Sequence, residues 1–184
     1  MPYRPRLNPS APLLAALLGL GAFAWSPASQ AAPVTLKPGL WDYALQTRNG
    51  DGPTMNLAQV LRNLPASTRP QVEARLLAQG MSLSPDGTLQ ICLDAASLAG
   101  GHPPLHLGGR CAAHWEQAAP GDWHFRYACQ DPAADGRGSL RVTAPTAYES
   151  DYTVKNLQGS MSGQAQAHWV ADSCGAVPPL RENH

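Results

Sequence analysis

The stretch that constrains this chain most runs from Cys111 to Cys129 and reads C-A-A-H-W-E-Q-A-A-P-G-D-W-H-F-R-Y-A-C. It alternates on both sides of a Pro120-Gly121 turn. Ala113, Trp115, Trp123, Phe125 and Tyr127 fall on one face, and His114, Glu116, His124 and Arg126 on the other. Successive side chains of a strand point to opposite sides, so the pattern predicts a β-hairpin with one buried and one solvated face. Cys111 and Cys129 flank the turn on the apolar side.

Two more cysteines, Cys92 and Cys174, complete an even set of four. Metal ligation favours close pairs such as C-x-x-C, and these four are scattered. In an exported chain they read as two disulfides. The hairpin register favours Cys111–Cys129, which leaves Cys92–Cys174. The alternative is Cys92–Cys111 with Cys129–Cys174, because a bridge between adjacent strands is geometrically demanding.

Export is indicated at the N-terminus. Arg4 and Arg6 precede the apolar run Ala11–Phe23, and Ser29-Gln30-Ala31 supplies small residues for cleavage. Residues 1–31 therefore read as a signal peptide. The apolar run is too short for the ~30 Å hydrocarbon core, which takes about 20 residues, so no stable membrane span is expected after cleavage. The expected location is the periplasm, with the extracellular space as the other possibility. Formal net charge is zero, only 14% of residues are charged, and no basic run occurs. Steering toward nucleic acid or anionic headgroups has no support in such a chain. Residues 32–184 have the usual size of one domain, expected to act as a monomer.

The rest of that domain reads mostly as strand. Leu36–Leu45 is the first, with Trp41, Tyr43 and Leu45 on one face. A helical insertion follows at about residues 56–80. Asn56 is a candidate N-cap for a helix carrying Leu57, Val60, Leu61 and Leu64. Thr68, with Pro70 and Gln71, resembles a capping box for a second helix carrying Val72, Leu76 and Leu77, closed by Gly80. Further strands are Leu89–Leu93, the central hairpin, Arg137–Thr143, Ala147–Val154 and a last one lined by Met161, Gly163, Ala165, Ala167 and Trp169. In this register Tyr152 faces Gly163, Tyr148 faces Ala167, and Glu149 faces Arg141. Ala95–Arg110 reads as a loop and Pro178–His184 as a frayed tail. The fold expected is mainly β. It is a single curved antiparallel meander sheet, or a barrel, of about seven strands, with a β-sandwich as the alternative.

These landmarks resemble a bacterial envelope family, domain of unknown function 3617. Lys37-Pro38-Gly39-Leu40-Trp41 matches its opening, Gln90-Ile91-Cys92-Leu93 its first cysteine strand, and Cys111 and Cys129 its middle pair. The ending departs. Where the family shows an arginine followed by G-D-C, this chain has Trp169-Val170-Ala171-Asp172-Ser173-Cys174. The resemblance implies periplasmic placement and structural disulfides, and it transfers no catalytic residue.

Three kinds of chemistry come into question. His114, Glu116 and His124 on the wet face of the hairpin are candidate Zn or Cu ligands. His102 and His106 stand in H-P-P-L-H, whose prolines forbid the helical spacing of a strong metal motif. No G-x-S-x-G, Walker or dinucleotide fingerprint occurs, and Gly159-Ser160-Met161-Ser162-Gly163 has Met at its centre. No free thiol is expected, and nothing pairs Asp42, Asp86 or Asp94 as acid and base. Neither catalysis nor a cofactor is expected. What remains is the inner aromatic face: Trp41, Tyr43, Trp115, Trp123, Phe125, Tyr127, Tyr148, Tyr152 and Trp169. If it fills a solid core, the protein is a structural or protein-interaction domain. If it lines a pocket, the protein is an exported binding or accessory protein for a small apolar ligand, or for an envelope partner. A filled interior would favour the first reading, and a continuous cavity beneath the helices the second.

Overall fold

Strands form where apolar residues alternate, and here they pair into one antiparallel sheet. A computed structural model describes residues 35–105 and 110–181. The predicted signal peptide, His106 and the last three residues lie outside the described residues. Among the described residues the elements are β1 (Gly39–Asn49), β2 (Met55–Asn56), α1 (Leu57–Arg62), α2 (Arg69–Ala78), β3 (Met81–Leu83) and β4 (Leu89–Leu93). The second half holds β5 (Cys111–Ala119), β6 (Asp122–Gln130), β7 (Ala133–Ala144), β8 (Ala147–Asn156) and β9 (Gly159–Ala171).

The sheet order is β3-β4-β1-β9-β8-β7-β6-β5, with β2 on the free end of β1. Three expectations change. The strands number nine rather than about seven, because β2 and β3 are only two and three residues long. Nor is the sheet a simple meander. Strands β5 to β9 follow one another, but β1 lies between β9 and β4. The barrel also stays open, since β3 and β5 are the two ends of the strand order and do not pair. The sheet nevertheless curls. Laid flat, eight strands at ~4.8 Å spacing would separate β3 from β5 by about 34 Å. Yet Met81 of β3 and Trp115 of β5 pack against the same core.

That core is built mainly from strand residues, with Trp41, Tyr148 and Ala167 among them as predicted, together with Leu180 of the tail. Trp41, Leu93 and Ala167 are fully buried, and Ile91, Leu140, Val142 and Tyr148 nearly so. Each large apolar side chain contributes about 1.5–3 kcal/mol on burial. The Lys37–Trp41 opening is a structural corner. Trp41 Nε1 donates to the Lys37 carbonyl at 3.1 Å, and Trp169 Nε1 to the Pro38 carbonyl at 3.0 Å. Lys37 Nζ lies 3.4 Å from the centre of the Trp169 ring and 3.1 Å from Asp172. Gly39 has φ +137°, and a Cβ there would come within 2.7 Å of Trp169 Nε1, so only glycine fits.

Both disulfides take the favoured pairing, Cys111–Cys129 and Cys92–Cys174. Cys111 sits opposite Cys129 in the hairpin, and Trp115 opposite Phe125. Tyr152 faces Gly163 and Tyr148 faces Ala167. Arg141 does sit opposite Glu149, but its ion pair is with Asp122 on the other side, at 3.0 Å. In α1 the Asn56 side chain accepts from Gln59 N at 3.1 Å. Thr68 makes no side-chain cap; its hydroxyl donates to the Pro65 carbonyl instead. Val60 and Leu77, read as buried-stripe residues, are exposed.

The tail is not frayed where it is described. The Leu180 amide donates to the Cys92 carbonyl at 2.8 Å, and Leu180 is buried. Arg181 forks onto Asp94, with Nη1–Oδ1 at 2.8 Å and Nη2–Oδ2 at 2.7 Å. Prolines and a terminal position suggested fraying. The Cys92–Cys174 bridge carries the tail alongside β4, and pairing follows.

Candidate functional site

Alternation decides which side chains point inward, and their size decides what space they leave. On β9 the inward residues are Gly163, Ala165 and Ala167. Their neighbours on β1 are Thr47, Leu45 and Tyr43, and on β8 they are Tyr152, Ser150 and Tyr148. On β7 the inward Gly136 lies between Tyr127 and Val154, and Gly138 between Phe125 and Tyr152. Large rings lie over these missing side chains. A Cβ on Gly163 would meet Tyr152 Cε1 at 2.6 Å, and one on Gly136 would meet Tyr127 Oη at 2.5 Å. The rings therefore lie flat against the sheet instead of standing into the interior.

A cavity of about 430 Å³ opens above them, within the size range of small-molecule pockets. Its walls come from both ends of the sheet: Met81, Leu89 and Ile91 on one side, Trp115, Phe125 and Cys129 on the other. Leu57 of α1 and Leu76 of α2 reach it from the helical insertion. Pro103, Pro104 and Leu105 of the long loop reach it too, and so does Leu180 of the tail. Short helices are marginal alone, and these two are anchored through the few apolar residues they turn to the sheet.

Of the nine aromatics predicted for a ligand face, six line the cavity: Tyr43, Trp115, Phe125, Tyr127, Tyr148 and Tyr152. Three do not. Trp41 is fully buried against Tyr148, with ring centres 5.5 Å apart. Trp169 belongs to the Lys37–Trp41 corner. Trp123 packs on His102, whose ring stacks on Trp115 at 3.9 Å and meets Trp123 edge-on at 4.9 Å. His102 is thus an aromatic spacer that ties the loop to the hairpin.

The chemistry of the lining is one-sided. None of the described residues that line the cavity is Asp, Glu, Lys, Arg or His. The polar side-chain groups of its described lining residues are the Ser150 hydroxyl, the Trp115 indole N–H and four phenols. The sequence holds five tyrosines, and the four beyond Tyr3 all stand here. Among the described residues, none hydrogen-bonds to the hydroxyls of Tyr43, Tyr127, Tyr148 or Tyr152. Burial pushes the Tyr127 phenol up to about 12, aided by Tyr152 and Asp135. Burial raises Tyr43 and Tyr148 further, with added repulsion from Tyr152 and Tyr43 respectively, and it raises Tyr152 as well. All four are neutral hydroxyls at physiological pH.

The candidate metal ligands lie elsewhere. His114, Glu116 and His124 are exposed on the outer face, with His124 opposite Glu116 and His114 opposite Arg126. Among the described residues no group of three His, Cys, Asp or Glu is placed to hold a metal ion. No described helix is long and apolar enough to cross a membrane.

Sequence reasoning missed Leu57, Leu76, Leu180 and the Pro103-Pro104-Leu105 segment as cavity walls. The helix stripes did point at Leu57 and Leu76. Leu180 carried one signal, an apolar residue a few positions beyond a bridged cysteine.

The fold and site define a class: an open, curled antiparallel sheet, capped by two short helices over an aromatic cavity. The profile of the DUF3617 family, described as protein of unknown function, matches residues 36–174, and the chain belongs to that family. A Pseudomonas putida protein, described as an uncharacterized protein in the lpd-3 5′ region, is 31% identical over 132 residues. The match covers 69% of this chain and 87% of that protein. No solved structure matches the chain.

Proposed function

We propose that this protein is an exported, non-catalytic binding protein that holds a small apolar ligand in the cavity beneath α1 and α2. The observation that carries the reading is the cavity itself, about 430 Å³ and bordered by Leu57 and Leu76 of the two helices. A domain built only for stability buries such apolar walls, because apolar area left in contact with water forgoes about 25 cal/mol per Å². The four phenols without a partner among the described residues support the same reading. Two disulfides and the leader pattern of residues 1–31 support export, since such bridges persist in oxidising compartments.

Native mass spectrometry of the protein purified from cells that make it tests this. A small molecule that co-purifies and leaves on denaturation is expected. A bare mass, lighter than the reduced chain by the four hydrogens of two disulfides, would overturn the carrier reading.

A further inference from the structure

We infer that the cavity selects an uncharged ligand whose buried part carries a hydrogen-bond acceptor, such as an ester, ketone or ether oxygen, met by the phenols of Tyr43, Tyr148 and Tyr152. The inference rests on the binding reading above and narrows the class of ligand.

Three observations carry it. First, the described lining holds no cation and no carboxylate. A buried carboxylate or ammonium would face several kcal/mol of desolvation without a counter-charge. Second, the wall is made of tyrosine where packing alone needs only phenylalanine or leucine. Tyr148 is only 4% exposed and its hydroxyl has no partner among the described residues. A buried hydroxyl left unpaired costs about 1–3 kcal/mol, and a ligand oxygen would offset that cost. Third, the hydroxyls are grouped rather than scattered. Tyr43 and Tyr148 flank Ala167 from opposite sides, and Tyr152 lies beyond Ala165 along the same wall, over Gly163. Phenol donors can also stabilise an anion. Here, however, the burial that keeps these phenols protonated works equally against a carboxylate set among them.

The test uses the purified full chain and a neutral fluorescent probe, N-phenyl-1-naphthylamine, displaced by methyl decanoate, decanoate or decane at about pH 8, where a carboxylate is ionised. These competitors share a chain length and differ only in charge and acceptor. The ester should displace the probe at the lowest concentration, with decanoate at least about tenfold weaker, as expected for one uncompensated buried charge. Tyr43→Phe, Tyr148→Phe and Tyr152→Phe keep the ring packing. At least one of them should weaken the ester by about 2–10-fold, the worth of one net hydrogen bond. Decane should be unchanged. Decanoate matching the ester, or an ester-to-decane ratio unmoved in all three variants, would overturn the inference while leaving the cavity reading intact. A probe that does not bind at all would overturn both.

Discussion

The glycine floor predicts a specific failure. Gly163→Ala adds one methyl group under the Tyr152 ring, where Cε1 would stand at 2.6 Å. Carbon atoms in contact settle near 3.5–4.0 Å, and the ring's Cζ stands closer than Cε1, so the ring must retreat by at least about 1 Å. The retreat leads into the cavity, because the sheet lies behind it. Overpacking of this kind costs about 1–3 kcal/mol. At about 2–4 °C per kcal/mol for a domain of this size, Tm should fall by roughly 2–12 °C. A thermal melt followed by circular dichroism reads the effect, and a double-mutant cycle assigns it. Tyr152→Ala removes the ring and costs stability on its own. In that background Gly163→Ala should cost far less, which gives a coupling of about 1 kcal/mol or more. A cycle additive within about 0.5 kcal/mol would refute the claim that ring and glycine share one space. So would a Tm for Gly163→Ala within about 1 °C of the parent. Gly136→Ala, beneath Tyr127, should behave alike.

Other outcomes follow from the same packing. In the chain lacking residues 1–31, every phenol lines the cavity, so near-ultraviolet titration should show phenolate forming above the ordinary value of about 10. Unfolded phenols ionise first, so stability is full below about pH 10 and falls as pH rises toward 12. A single transition centred at about 10 would refute the buried-phenol account. Arg181, above all, holds Asp94 well below the usual carboxylate range. A depressed value stabilises the fold above the unfolded pKa of about 3.9 and ceases to do so on further acidification. Asp94→Asn should therefore lower Tm at neutral pH, and the gap should close in acid; a gap constant with pH would contradict the fork. The Cys92–Cys174 bridge closes 82 residues and Cys111–Cys129 closes 18. Loop-closure entropy gives about 4–5 and about 3 kcal/mol, so paired Cys→Ser replacement of the first should lower chemical stability more than that of the second. The reverse order would refute this.

Local structure was the legible part. Strict alternation placed the central hairpin, and with it Cys111 opposite Cys129, because one register alone buries Trp115, Phe125 and Tyr127 together. Asn56 announced α1 through its side-chain oxygen. Short pieces left no trace: β2 and β3 are too brief for a period to repeat. Pairing order was also hidden. Nothing near Trp41 says that its neighbours will be Ile91 on one side and Trp169 on the other. The same limit separates pocket from core. Trp41 and Tyr43 share a face of one strand, yet one is sealed and the other borders the cavity. The difference is set by what β4, β9 and the tail bring from far along the chain.

The placement of β1 bears on how the protein comes into being. Strands β5 to β9 pair with their sequence neighbours and can zip together one after another. The first strand made cannot. Leu40 waits for Ala171, 131 residues later, before its second edge is satisfied. Contacts so distant in sequence form slowly and late. Until the final strand is made, the β1 ladder stands half unpaired, a template for other chains and a handle for chaperones. The cavity is thus among the last features to exist, and a truncated chain has a sheet without an inside.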